Sequence, residues 1–213
     1  MPLPAWCLSP LPCAPPYEIP AGPIQAGSPF GAPERPRYRA VMASADVPLL
    51  FLDVDGPLIP FGGPPPGGHR TYPGPGSGPD GNPLLARVDP ALGPRLLGLP
   101  CTLVWATTWL EDANDCLSPR LSLPRLPVVD WPVADEDGPE HPGDPHGLHW
   151  KTRPLLARVG GRPFVWVDDE ITPADRRWVD AHSPARALLH RVDPQRGLGE
   201  ADFTAIETWL HAA

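Results

Sequence analysis

The 213 residues carry a formal charge of −8 and are 41% hydrophobic, enough for one domain with its own core. An acidic chain with no basic run is a poor partner for a nucleic-acid backbone, which needs clustered Lys and Arg. No apolar run approaches the ~20 residues of a membrane span, and the N-terminus lacks a secretory pattern, so neither a membrane nor an exported location is expected.

Proline sets the organisation. Eleven of the first 36 residues are proline, and residues 1–45 show no helical or strand period, which predicts a disordered tail. Met42, just before the first apolar run, is an alternative start, and a single domain is expected over residues 46–213. Cys7, Cys13, Cys101 and Cys116 form no C-x-x-C pair and no zinc spacing. Cys101 and Cys116 read as buried thiols, consistent with a reducing, cytoplasmic setting.

From Val47 the pattern becomes globular. Residues 48–54 form a first apolar strand. Sixteen Gly or Pro in positions 60–83 make a loop or flap. A short strand is expected at 84–88, a brief helix at 91–99, and a buried strand at 101–106. Residues 111–117 read as helical and 127–130 as a third short strand, followed by an acidic loop over 132–147. A helix at 152–159 stops at Gly160-Gly161. A strand follows at 163–167. Thr172, Pro173 and Asp175 open the next helix with a cap, a proline at its first position and an acid three residues on. A last strand covers 185–192, and Phe203, Ile206 and Leu210 mark one face of a C-terminal helix.

Apolar strands alternating with helices predict an α/β fold, a parallel sheet with helices on both faces. Ligands of such sheets sit beyond the carboxyl ends of the strands, where this chain concentrates its acids and hydroxyls. The first strand delivers Asp53 and Asp55, with Gly56 permitting a sharp turn. The second delivers Thr107 and Thr108, and a later one delivers Asp168, Asp169 and Glu170. Four carboxyl groups at one place repel unless a cation neutralises them, and Mg²⁺ with oxygen ligands is the expected one.

Leu50-Phe-Leu-Asp-Val-Asp-Gly-Pro-Leu58 resembles the first motif of the haloacid-dehalogenase (HAD) superfamily. Val104-Trp-Ala-Thr-Thr108 resembles the second, Lys151 stands where the third is expected, and Val165-Trp-Val-Asp-Asp169 resembles the fourth. The four occur in family order from Val47 onward. The resemblance implies a doubly wound, Rossmann-like core with a minimal or absent cap, and a Mg²⁺-dependent phosphatase. Asp53 would be the nucleophile and carry an aspartyl phosphate, with Asp55 the acid and base. Thr107, or Thr108 in its place, would bind a phosphoryl oxygen. Lys151 would neutralise charge. Asp53, the Asp55 carbonyl, Asp168 and Asp169 would hold Mg²⁺. Dehalogenase members lack the second acid, which favours phosphoryl chemistry here. A phosphotransferase and a catalytically silent binding protein are the alternatives.

The substrate expected is a phosphorylated small molecule or macromolecule, with Arg70 in the flap as an anion contact. Trp109, Trp150 and Trp166 read as packing residues. His141, His146 and His149, with Asp144, read as a solvated loop and not a second metal site. The Gly/Pro flap is no phosphate loop, because no Gly-Lys-Ser/Thr follows it.

Overall fold

Four apolar runs become four parallel strands: β1 (Leu49–Leu52), β2 (Thr102–Trp105), β3 (Phe164–Asp168) and β4 (Ala187–Arg191). They form one sheet in the order β2-β1-β3-β4. This computed structural model describes residues 47–63, 68–74, 81–131 and 146–212. The expectations for residues 1–45, Met42, Cys7, Cys13, His141 and Asp144 lie outside these residues.

The strands are continuously hydrophobic because both faces of the sheet are covered. Leu50, Leu52, Leu103, Trp105, Val165 and Val167 point to one side, onto α1 (Leu92–Gly98) and α4 (Glu200–His211). Leu49, Phe51, Val104, Phe164, Trp166 and Leu189 point to the other, onto α2 (Thr152–Val159) and α3 (Pro173–His182). The residue alternation of period 2 thus splits one sheet between two cores. The expected doubly wound fold is present, and Phe203, Ile206 and Leu210 bury the face of α4 that their spacing predicts.

Local chemistry sets the ends. Gly160 (φ 60°) and Gly161 (φ 80°) stop α2 in the left-handed region. The Thr172 hydroxyl accepts from the backbone of Asp175, whose carboxyl accepts from Thr172 N, closing the predicted capping box. Cys101 and Cys116 are buried, and burial pushes the Cys101 thiol up to about 12.

Three expected elements differ. Residues 84–88 are not a strand: Pro83–Arg87 is a 3-10 helix, started by Pro83 and by Asn82, whose Oδ1 accepts from Leu84 N. Ala113–Leu117 is helical but widened to π geometry, with Ser118 N donating to Ala113 O. The third short strand, 127–130, is a single bridge from Val128 to Trp105. Proline at 127 has no N–H to extend a ladder. Just before it, both polar groups of Leu126 are taken by the buried side chain of Asn114.

Because β1 lies between β2 and β3, the chain reverses direction across the sheet at β1. A crevice forms at the carboxyl ends of these three strands, where ligands of doubly wound sheets bind. Among the described residues, the segments after β1 and β2 contain only the 3-10 helix, α1, the π turn, α2 and loops, with no separate cap domain.

Candidate active site

β1 hands the chain directly to the crevice. Asp53 N still donates to Val167 O (3.0 Å), so Asp53 continues the ladder by one residue and its side chain is buried. The chain then turns tightly: Leu58 N and Ile59 N both donate to Val54 O. Gly56 sits in this turn at φ 84°, and a Cβ there would lie 2.6 Å from Cγ of Asp169. Only glycine lets the two acid-bearing segments come this close.

Lys151 joins the acids. Its Nζ lies 2.8 Å from Asp53 Oδ2 and 2.9 Å from Asp168 Oδ2, and the side chain is only 4% exposed. Oxygens of Asp53, Asp168 and Asp169 lie within 4.8 Å of one another. Four residues from the ends of β1 and β3 and the start of α2 therefore converge.

Their electrostatics are uneven. Burial raises Asp53 well above the usual carboxylate range, outweighing the Lys151 ammonium. Asp168 is also buried, but Lys151, then His149 and the Glu170 N donor, hold it below that range, and Trp166 Nε1 donates to it as well. Burial, then the charges of Asp168 and Glu170, push Asp169 up to about 7. One ammonium faces three buried carboxyl groups, so the cluster lacks positive charge.

The position of Lys151 is fixed from both sides. Its N–H donates to His149 Nδ1 (3.1 Å), which leaves the ring proton on Nε2, 3.0 Å from Glu170 Oε2. His149, Asp168 and Glu170 also bring donor atoms within 4.8 Å, but both His149 nitrogens are engaged. His149 is therefore not the solvated loop residue expected. Asp175, fully buried, accepts from His149 N (2.7 Å) and Thr152 Oγ1 (2.6 Å) with its other oxygen on Thr172 N. The cap of α3 is thus also the clamp on the loop that carries Lys151.

Asp175→Ala removes this clamp and strands two buried donors. Unfolding free energy should fall by about 2–4 kcal/mol, and Lys151 should lose its register, with activity dropping alongside. Urea unfolding checks the first effect. A loss below 1 kcal/mol would show that the clamp is not needed.

The remaining expected residues divide. Asp55 Oδ2 accepts from Trp109 Nε1 (3.0 Å), so Trp109 does more than pack. Burial raises Asp55, and the Trp109 donor moderates the rise. Thr107 is buried, and its Oγ1 accepts from Trp109 N in a local cap, while Thr108 is exposed. Arg70 is not brought to the acids: it lines a separate cavity that none of them borders. Trp166, read as packing, also donates to Asp168.

The family described as the HAD domain in Swiss Army Knife RNA repair proteins matches residues 49–203. The chain belongs to this HAD family. The matched span runs from the start of β1 into α4 and includes every residue of the cluster. No curated protein and no solved structure matches the chain. Membership supports a hydrolase of the HAD class, and the acid cluster is compatible with a metal ion. Among the described residues, no helix is long and apolar enough to cross a membrane.

Proposed function

We propose that this HAD domain is a Mg²⁺-dependent phosphatase with Asp53 as its nucleophile. The observation that carries the reading is Lys151 held between Asp53 and Asp168, with Asp169 beside them uncompensated. Asp53 attacks phosphorus, the bond to the leaving oxygen breaks, and Asp55 gives that oxygen its proton. The raised pKa of Asp55 keeps that proton available nearer neutrality. Asp55 then takes a proton from the water that attacks the aspartyl phosphate, releasing inorganic phosphate and free Asp53. Lys151 balances charge on Asp53 and the phosphoryl oxygens. Thr107 accepts from Trp109 and so keeps its own hydroxyl proton to donate.

The donor set suits a hard cation: three carboxyl groups within reach of one ion and one ammonium too few to neutralise them. Asp53 and Asp169, with the carbonyl of Asp55, would hold Mg²⁺, and Asp168 would chiefly hold Lys151. The ion would neutralise the phosphoryl oxygens as the nucleophile approaches.

Binding a cation must release the Asp169 proton and any proton on Asp53, so Mg²⁺ affinity should rise by at least about tenfold per pH unit below 7. Without the ion, the folded carboxyl titrates at about 7 against an ordinary 3.8, so the folded state holds the proton more tightly. Metal-free stability should therefore fall as pH rises from about 4 to 7, and Mg²⁺ should restore it. Calorimetric titration in buffers of different ionisation heat reads the proton release directly. A pH-independent affinity would remove Asp169 from the ligands.

The reading itself is tested with p-nitrophenyl phosphate. Turnover should need Mg²⁺, stop with EDTA, and return on adding the metal back. Phosphate appearing in an acceptor other than water would favour a phosphotransferase. No metal-dependent turnover of this or any phosphorylated substrate would favour a silent binding protein. The RNA-repair description of the family favours one substrate, a phosphorylated RNA end. It stands against the expectation drawn from overall acidity. Release of inorganic phosphate from an end-phosphorylated oligoribonucleotide tests it.

A further inference from the structure

A cavity of about 350 Å³ opens beside the turn that follows Asp55, and it is basic in an acidic protein. Arg70, Arg87, Arg196 and His69 line it, against one carboxyl group, Asp89. Asp89 is already engaged: Oδ2 accepts from Tyr72 OH (2.8 Å) and Oδ1 from Ala91 N (2.9 Å). Arg87 is pinned in the wall by a bond from Nη1 to Pro60 O, and among the described residues its other N–H groups are left for a ligand. Arg196 meets Asp193 only at 3.5 Å and is largely exposed. His69 Nε2 is shut off from solvent with no hydrogen-bond partner among the described residues, an unmet polar atom in the same wall.

The cavity is also rigidly tied to the catalytic turn. Pro57 and Leu58 form part of its wall, the first only two residues past Asp55, so roughly 8 Å of chain at most separates them. Leu198 N donates to Pro57 O (2.9 Å), and a Cβ on Gly197 would lie 3.0 Å from that oxygen. The segment carrying Arg196 thus packs directly on the turn. The volume lies in the range of small-ligand sites and holds more than a lone phosphate.

We propose that this cavity is a second phosphate site, taking a phosphate-bearing part of a nucleotide next to the phosphate that meets Asp53. The placement of the two phosphates rests on the phosphatase reading; the anion binding of the cavity does not. Arginines lining the cavity from three segments offer guanidinium groups suited to phosphate oxygens, and the pair of sites would measure the spacing between neighbouring phosphates.

The test uses the full chain carrying Asp53→Asn, titrated calorimetrically with adenosine 3′,5′-bisphosphate and with adenosine 5′-monophosphate in Mg²⁺. The bisphosphate should bind at least about tenfold more tightly, and adding Arg70→Ala with Arg196→Ala should erase the difference. Two bisphosphates per chain, one lost with the arginines, would support the site and assign it to a free nucleotide instead of the substrate's own second phosphate. Affinities that ignore the arginine substitutions overturn the proposal, whatever the stoichiometry. Repeating the titration on the chain with Asp53 intact, in EDTA, guards against an effect of the Asn. Absence of metal-dependent turnover of any phosphorylated substrate would sink the phosphatase reading alone and leave arginine-dependent binding in place.

Discussion

Asp53→Asn is expected to lower turnover by on the order of 10⁴-fold or more while leaving the fold as stable as before, or slightly more so. The catalytic loss follows from the amide, which is no nucleophile toward phosphorus. The stability follows from the cluster. Asp53 is buried and its carboxyl is raised well above the usual range, so the fold opposes its charge. An amide of the same shape removes that opposition, and Lys151 keeps Asp168 at 2.9 Å as a counter-ion. A buried charge lost from a cluster with too many acids should cost at most about 1 kcal/mol. Steady-state turnover and urea unfolding of one preparation test both halves. A variant that keeps a tenth of the activity would exclude Asp53 as nucleophile. One that loses several kcal/mol would show that the cluster needs this charge to fold.

The strands were legible because continuous apolar runs have few other uses in a chain of this length, and Leu49–Leu52, Thr102–Trp105 and Phe164–Asp168 are buried along their whole length. The acids were legible because each follows such a run directly. Caps were legible where the chemistry is local, as at Thr172 and Gly160. What stayed hidden depends on distance along the chain. The Asp175 capping box could be read from four residues, but its grip on Thr152 and His149 spans 23 and 26. His149 lies at the edge of a Gly/Pro-rich stretch, and contacts distant along the chain, with Trp166, Glu170 and Asp175, make it a structural residue. The Trp109 indole reaches Asp55 across 54 residues. Arg70 was sensed as an anion contact, but nothing in its neighbours could show that it faces a second cavity and not the acids. Residues 84–88 misled because Leu84, Leu85 and Val88 suit either state, and the decision lay with Asn82 and Pro83.

Lys151→Met should show the opposite stability effect at the same ion pair. Turnover should fall by on the order of 10³-fold, because among the described residues no other cationic side chain in the cluster offsets charge on Asp53 and the phosphoryl oxygens. Stability at neutral pH should fall by about 3–5 kcal/mol, since two buried acids lose their shared cation. Asp168 is wholly buried and would keep only the Trp166 and Glu170 donors. The pH dependence distinguishes this from simple misfit of methionine. In the native chain Asp168 lies below the usual range, so its share of stability is present above pH 4 and lost as pH falls through its folded pKa. Without the ammonium, Asp53 and Asp168 should both sit above the range. The folded state then binds protons more tightly than the unfolded, and stability should drop as pH rises from about 4. Both chains should lose stability as pH rises above about 4, since Asp53 and Asp169 are raised in each, but the variant should lose more, with the extra loss falling between pH 5 and 8. Mg²⁺ should recover part of that loss, because a divalent ion replaces some of the missing charge. Urea unfolding at pH 5 and pH 8, with and without Mg²⁺, reads all three effects. A deficit of equal size under every condition would mean that the Lys151 stem matters for packing alone, and that its ammonium does not hold the acids together.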